Sequence, residues 1–311
     1  MGALNHRPAR LVALLLLLAF ASACSTPVSR AVPPDDPTAE PTATCTAAPS
    51  ATAPPTVTPT ATPTAAPTAT PTPAAPLIAV DAGHGGTDLG ARHFDARGQM
   101  DYHESTVNLE LALLVRDALE AHGFRVLLVR DGDYMLNDFE EDTNGDGVID
   151  TADDLQARID LVNAEGADLL LSIHQNAFYY RSGADSSGVG GVITYYCAER
   201  PFGDESLRFA RLVQDSLVTT FRDVLDHDVD DRGVEVDMAL GGHLILLGPE
   251  TERTARPSEM PAVLSETLFI THWREGELAR DPDALRALAE AYADAVVAYY
   301  AEAAEDSGGA L

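Results

Sequence analysis

A single three-layer α/β domain is what the sequence predicts for residues 77–311. Three observations carry this reading. Short apolar runs of strand character alternate with segments of helical spacing, which implies a mainly parallel sheet covered on both faces. The stretch holds about 235 residues, a size that single α/β domains often reach. Of the 20 prolines in the 311-residue chain, 13 lie between residues 31 and 76, so composition divides the chain into unlike parts.

Taken in order, residues 77–80 are a short apolar run closed by Gly-bearing turn residues, as suits a buried strand. Val107, Leu111, Leu114, Val115 and Ala118 recur at helical spacing, and Gly123 stops that helix. Residues 125–129 read as the next strand. Leu155, Ile159 and Val162 mark a second helix, expected over 154–165, and a strand follows at 169–173. Further strands are expected at 192–196, 244–247 and 262–265, with a long amphipathic helix over 204–225 and a closing helix over 283–300.

What precedes the domain is an address and a spacer. Residues 1–24 combine Arg7 and Arg10, an apolar run from 11 to 20, and the small residues Ala21, Ser22 and Ala23 before Cys24. The apolar run is too short to span about 30 Å of hydrocarbon, so the segment reads as an export signal. It resembles a bacterial lipoprotein signal, which implies lipidation of Cys24 and a membrane anchor. Ala21-Ser22-Ala23 equally suits ordinary cleavage and secretion. Residues 25–76 are dominated by Pro, Thr and Ala, with too few apolar side chains to bury, and read as a disordered tether. Fully extended as polyproline, residues 31–76 would reach on the order of 140 Å.

The charge balance excludes one class of partner. All 20 basic residues are Arg, against 49 acidic ones, for a net −29. Residues 1–76 contribute three of each sign, so the whole excess sits on the domain. A surface this acidic repels phosphate backbones, and nucleic acid is not an expected partner. The three cysteines form no C-x-x-C pair, which rules out a disulfide framework or a thiolate zinc finger. Cys197, directly after a strand, reads as a buried thiol.

Chemistry is expected at the carboxyl ends of strands, where loops converge. His84 follows the first strand, His174 the third and Glu266 the run 262–265, while Glu104 stands just before a helix. Two imidazoles and a carboxylate form a common catalytic zinc shell, and a further carboxylate can take a proton from water. Taken singly, the histidines and Glu104 have plainer roles, a hydrogen-bonded loop histidine or an acid stabilised at a helix start, whereas Glu266, straight after an apolar strand, would be partly desolvated and is harder to dismiss.

The segments 80–86, 104–109, 172–177 and 261–267 resemble, in order and spacing, four signatures of the zinc-dependent N-acetylmuramoyl-L-alanine amidases of the amidase_3 type. The resemblance covers residues 77–302 and includes Arg130, Asp133 and Arg158. It implies a twisted, mainly parallel sheet of about six strands, Zn²⁺ held by His84, Glu104 and His174, and Glu266 as catalytic base. The implied reaction is hydrolysis of the amide joining N-acetylmuramic acid to L-alanine in peptidoglycan. Asp81 is expected to orient His84, or to be a solvated turn carboxylate. Two positions depart from the pattern: His272 lies near a position often held by Asn, and Leu268 stands where Gly is common, a change expected either to narrow the cleft or to alter how Glu266 is presented. A catalytically silent wall-binding lipoprotein, or a zinc peptidase or deacetylase acting on another amide, remain as rivals.

Within the domain, an insertion at about 131–154 carries D-x-N-x-D-G-x-I-D-x-x-D over residues 142–153. Asp142, Asn144, Asp146, Asp150 and Asp153, with the carbonyl of Val148, match the twelve-residue EF-hand spacing and imply one structural Ca²⁺. No convincing helix enters the loop, and its single copy argues against a dockerin and hence against cohesin binding.

Overall fold

A computed structural model describes residues 74–308 except Gly183. The signal segment, Cys24 and the tether lie outside the described residues apart from 74–76. No helix among the described residues is long and apolar enough to cross a membrane.

The sheet grows from fully buried strands. All six residues of β1 (Leu77–Ala82) and seven of the eight in β5 (Leu169–Asn176) are buried, as expected of parallel strands covered on both faces. With β4 (Arg125–Leu128), β6 (Val192–Tyr196), β7 (Asp231–Val236) and β8 (Ala262–Phe269) they form one six-stranded sheet, ordered β4-β1-β5-β8-β6-β7. β4, β1, β5 and β8 run parallel. β6 is antiparallel to β8 and parallel to β7, so the last two strands are reversed. The carboxyl ends of β1, β5 and β8 therefore share one end of the sheet.

One face is covered by α1 (Glu104–Ala121), α3 (Gly203–Asp223) and α5 (Pro282–Gly308). In α3, Phe209, Val213, Leu217 and Phe221 recur every fourth residue and are fully buried. The other face is covered by α2 (Thr151–Ala164) and by the segment that contributes Leu244, Leu247 and Met260. A two-stranded ribbon, β2 (Arg92–Phe94) with β3 (Met100–His103), leads into α1, and the four-residue α4 (Glu275–Leu278) follows β8.

Several expectations are corrected. Residues 244–247 are no strand: the Leu244 carbonyl accepts from both Leu247 and Gly248, which closes a turn and turns the apolar run onto the core. β7 and the β2–β3 ribbon were not expected, because their residues are largely exposed or half-buried and lack an apolar run. The second helix starts at Thr151, where Asp150 and Asp153 make a reciprocal capping box.

Candidate active site

Four chain segments meet at the carboxyl end of the sheet. His84 sits in the turn after β1, Glu104 in the first turn of α1, His174 near the end of β5, and Glu266 in β8, in register with His174. Glu104 lies between the imidazoles: its Oε2 is 3.1 Å from His84 Nε2 and its Oε1 is 2.9 Å from His174 Nδ1. The same carboxylate accepts main-chain N–H bonds from Ala91 and Gln175. Donor atoms of His84, Glu104 and His174 all lie within 4.8 Å of one another, the spacing of a metal-ligand set.

Glycines make room for this approach. A Cβ on Gly83 would stand 2.2 Å from His174 Nε2, and one on Gly90 would stand 2.5 Å from Glu104 Oε2. His84 itself adopts φ 63°, an uncommon conformation for a side-chain-bearing residue. Two fully buried arginines hold it there. Arg158 donates to the carbonyls of His84 and Ala82, and Arg130 to those of Ala82, Gly83, Ser105 and Gly132.

Asp81 is not the partner of His84. Its carboxylate is tied to Arg158 at 2.8 Å and to the Ser172 hydroxyl at 2.7 Å, so it anchors the arginine that supports the His84 turn. The carboxylate on His84 Nδ1 belongs to Asp88, at 2.8 Å. This residue was missed in the sequence. Its signal was there, since a ligand imidazole needs an acceptor on its second nitrogen and Asp88 shares the glycine-rich turn with His84.

The electrostatics separate two carboxylates. Burial alone would lower the His84 pKa, but the Glu104 charge and the bonds to Asp88 and Glu104 outweigh it and hold it at about 10. Burial would raise Glu104, yet the two imidazoles draw it well below the usual carboxylate range. Burial pushes Glu266 up to about 8, Glu104 adds repulsion, and the attraction of His84 is the smallest influence. The Glu266 Oε2 makes no hydrogen bond. An ionised acid thus stands between the histidines beside one that keeps its proton to higher pH, as happens when environments push two carboxyl pKa values apart.

Leu268 does not narrow the cleft. Register slips between His174 and Asn176, so Glu266 pairs with His174 and Phe269 with Asn176. The bulge turns Leu268 into the core beneath α5, away from the face that carries Glu266.

Among the described residues two other groups bring metal-type donors together: Cys197, Asp237 and His243, and His227, His272 and Glu275. The 142–153 loop is not one of them. Asp142 accepts from Gly145 and Gly147, Asn144 from Asp146, Asp146 from Val148, Asp150 from Ala152 and Asp153 from Asn144 and Asp150. Arg253 is seated on Asp150. His93 is bound to Asp101 and stacked on Tyr102, which places it in the ribbon rather than among the ligands.

The Amidase_3 family model, described as N-acetylmuramoyl-L-alanine amidase, matches residues 78–298. The N-acetylmuramoyl-L-alanine amidase AmiA of Escherichia coli is 28% identical over 244 residues, covering 72% of this chain and 76% of that protein. Among solved structures, the catalytic domain of CwlV, an N-acetylmuramoyl-L-alanine amidase from Bacillus (Paenibacillus) polymyxa var. colistinus, aligns with TM-score 0.52 at 25% identity, covering 72% of this chain and 98% of that one. The N-acetylmuramoyl-L-alanine amidase of Clostridium difficile aligns with TM-score 0.53 at 25% identity, covering 73% and 98%.

Proposed function

The chain belongs to the Amidase_3 family of N-acetylmuramoyl-L-alanine amidases, and from that premise we propose that it is a zinc enzyme of the cell envelope that cuts peptidoglycan between N-acetylmuramic acid and L-alanine. The observation that carries the reading is Glu266 Oε2, buried and unpartnered, beside three converging donors.

The donor set fits zinc: two imidazoles and one carboxylate, with a mutual approach that Gly83 and Gly90 make possible. His84 would bind through Nε2, because Nδ1 is held by Asp88, and His174 through Nδ1, the nitrogen aimed at Glu104. When bound there, Zn²⁺ supplies Lewis acidity to the scissile carbonyl and to the attacking water. Glu266 takes a proton from that water as its oxygen attacks the carbonyl carbon, then delivers the proton to the amine nitrogen as the C–N bond breaks. A pKa raised well above the ordinary carboxylate value makes Glu266, once ionised, a stronger proton acceptor than a solvated carboxylate.

The decisive experiment is digestion of purified cell wall by the full chain and by Glu266→Gln. Wild type should release the amino group of L-alanine, and the variant should be slower by about 10²–10⁴-fold with unchanged circular dichroism and zinc content. Undiminished digestion by the variant removes Glu266 from the mechanism. New amino ends other than L-alanine would assign the site to another amide.

The remaining readings rest on sequence pattern. The export signal and Cys24 support an extracytoplasmic protein held to the membrane by a lipid, with residues 25–76 as its tether. The twelve-residue spacing of 142–153 supports a weak structural Ca²⁺ site, for which millimolar extracellular calcium suffices.

A further inference from the structure

A second constellation stands at the opposite end of the same sheet face. Cys197 is the first residue after β6 and Asp237 the first after β7. Those strands are parallel neighbours, in register through Tyr196 and Val236, so thiol and carboxylate emerge side by side. β6 is antiparallel to β8 and pairs Ile193 with Glu266. Cys197 therefore lies four residues, about 13 Å, along the strand from the Glu266 level. It belongs to a different site.

The third member returns to this point through a built turn. Residues Asp237–Leu240 form one 3-10 turn, ended by Gly241 at φ 93°, and His243 follows. Gly248 packs against His243, where a Cβ would meet the histidine Cβ at 2.6 Å. His243 Nδ1 then stands 3.0 Å from Asp237 Oδ2 and 3.7 Å from Cys197 Sγ. Around a tetrahedral zinc, with Zn–N and Zn–O near 2.0 Å and Zn–S near 2.3 Å, nitrogen and oxygen are about 3.3 Å apart and nitrogen and sulfur about 3.5 Å. The spacing agrees to a few tenths of an ångström. Main-chain N–H groups of Met238 and Leu244 hold the carboxylate, as ligand carboxylates are usually held.

We propose that Cys197 Sγ, Asp237 Oδ2 and His243 Nδ1 bind a thiophilic divalent cation of the zinc type, at a site separate from His84, Glu104 and His174. A nucleophilic relay is the wrong reading of these residues. It would set the thiol and the carboxylate on opposite nitrogens of the imidazole, whereas both approach the same one. On binding, the thiol proton goes to solvent, and thiolate plus carboxylate balance the dication. Nearby charges nearly cancel, with Glu199 3.6 Å from His243 Nε2 and Arg200 close to Cys197. An open cavity of about 420 Å³ lined by His243, Thr251 and Glu252 gives solvent access to the cluster. The ion would pin edge strand β7 and the loop after it to β6. The His227, His272 and Glu275 group has no thiol, and its His272 Nδ1 already accepts from the Glu275 amide.

Cobalt tests this in the full chain, because only a thiolate ligand gives sulfur-to-cobalt charge-transfer absorption in the near ultraviolet. The band should saturate by two equivalents of Co²⁺ in wild type, whose His84 site also takes the ion, and by one in His84→Ala, which leaves the new site intact. It should vanish in Cys197→Ser, and His243→Ala should bind Co²⁺ at least about tenfold more weakly. If Cys197→Ser fails to fold, His243→Ala, at a partly exposed position that keeps the thiol, decides alone. No band in wild type overturns the site, as does a band that survives Cys197→Ser by arising from Cys24 or Cys45, or one that His243→Ala leaves unchanged.

Discussion

The carboxyl end of the sheet and the acidic loop at 142–153 hold the same kinds of side chain and use them in opposite ways. At the sheet end, His84, Glu104, His174 and Glu266 are spread over most of the domain sequence and are brought together by strand ends. In the loop, five acceptors crowd into twelve residues, and their oxygens are taken up by the loop's own amides and by Arg253. Sequence density of carboxylates is thus a poor guide to convergence. What concentrates chemistry at the sheet end is desolvation, since buried charges must find one another or be neutralised.

The contrast breaks most severely at Arg158, which spans both regions. Its guanidinium joins Asp81 under the His84 turn to Asp154 beside the loop, and Asp154 accepts from the Asn137 amide. Arg158→Met should cost about 3–5 kcal/mol in urea unfolding, because it strands two buried carboxylates. A loss below about 1 kcal/mol would show that the two regions are held independently. On the metal side, Asp88→Asn is expected to weaken zinc binding about 10–100-fold with little effect on folding, measured by competition with a chelator.

A pH-dependent effect sharpens the electrostatic side of the comparison. Because Glu266 has its folded pKa raised from 4.5 to about 8, the metal-free fold binds more protons than the unfolded chain in that window. The Glu266 contribution is therefore present below pH 4.5 and is lost as pH rises towards 8. Glu266→Gln, lacking that loss, should be more stable than wild type by up to ~3–5 kcal/mol at the upper end. Equal stability across the window would mean that Glu266 is solvated. Smallest is the calcium effect: millimolar Ca²⁺ should raise the Tm of the full chain by about 2–4 °C, and Asp142→Ala should abolish the rise. No shift in wild type would leave the loop held by hydrogen bonds alone.

Much of this was legible in the chain. Buried strands announce themselves as apolar runs, and α1, α3 and α5 as apolar stripes, because burial on one or both faces dictates the spacing. The candidate residues were legible through four motifs in order, and the structure brings His84, Glu104 and His174 together with Glu266 in register beside His174. Legibility failed where exposure removes the pattern, as in β7 and the β2–β3 ribbon, and where a short apolar run fits a turn as well as a strand, as at 244–247. It failed again for Asp81 and Asp88. Both carboxylates flank His84 in sequence, and only the position of Arg158 decides which is free to take the imidazole.

By itself the sequence determined the fold class and the side chains available for chemistry. These follow from local composition and periodicity, which each segment carries within itself. Tertiary structure alone decided which nitrogen of each histidine is free, that Glu266 is left without a partner, that a bulge turns Leu268 inward, and that Cys197 meets Asp237 and His243. Those outcomes depend on the register and direction of strands distant in the chain, and a one-residue change of register would send each side chain to the other face.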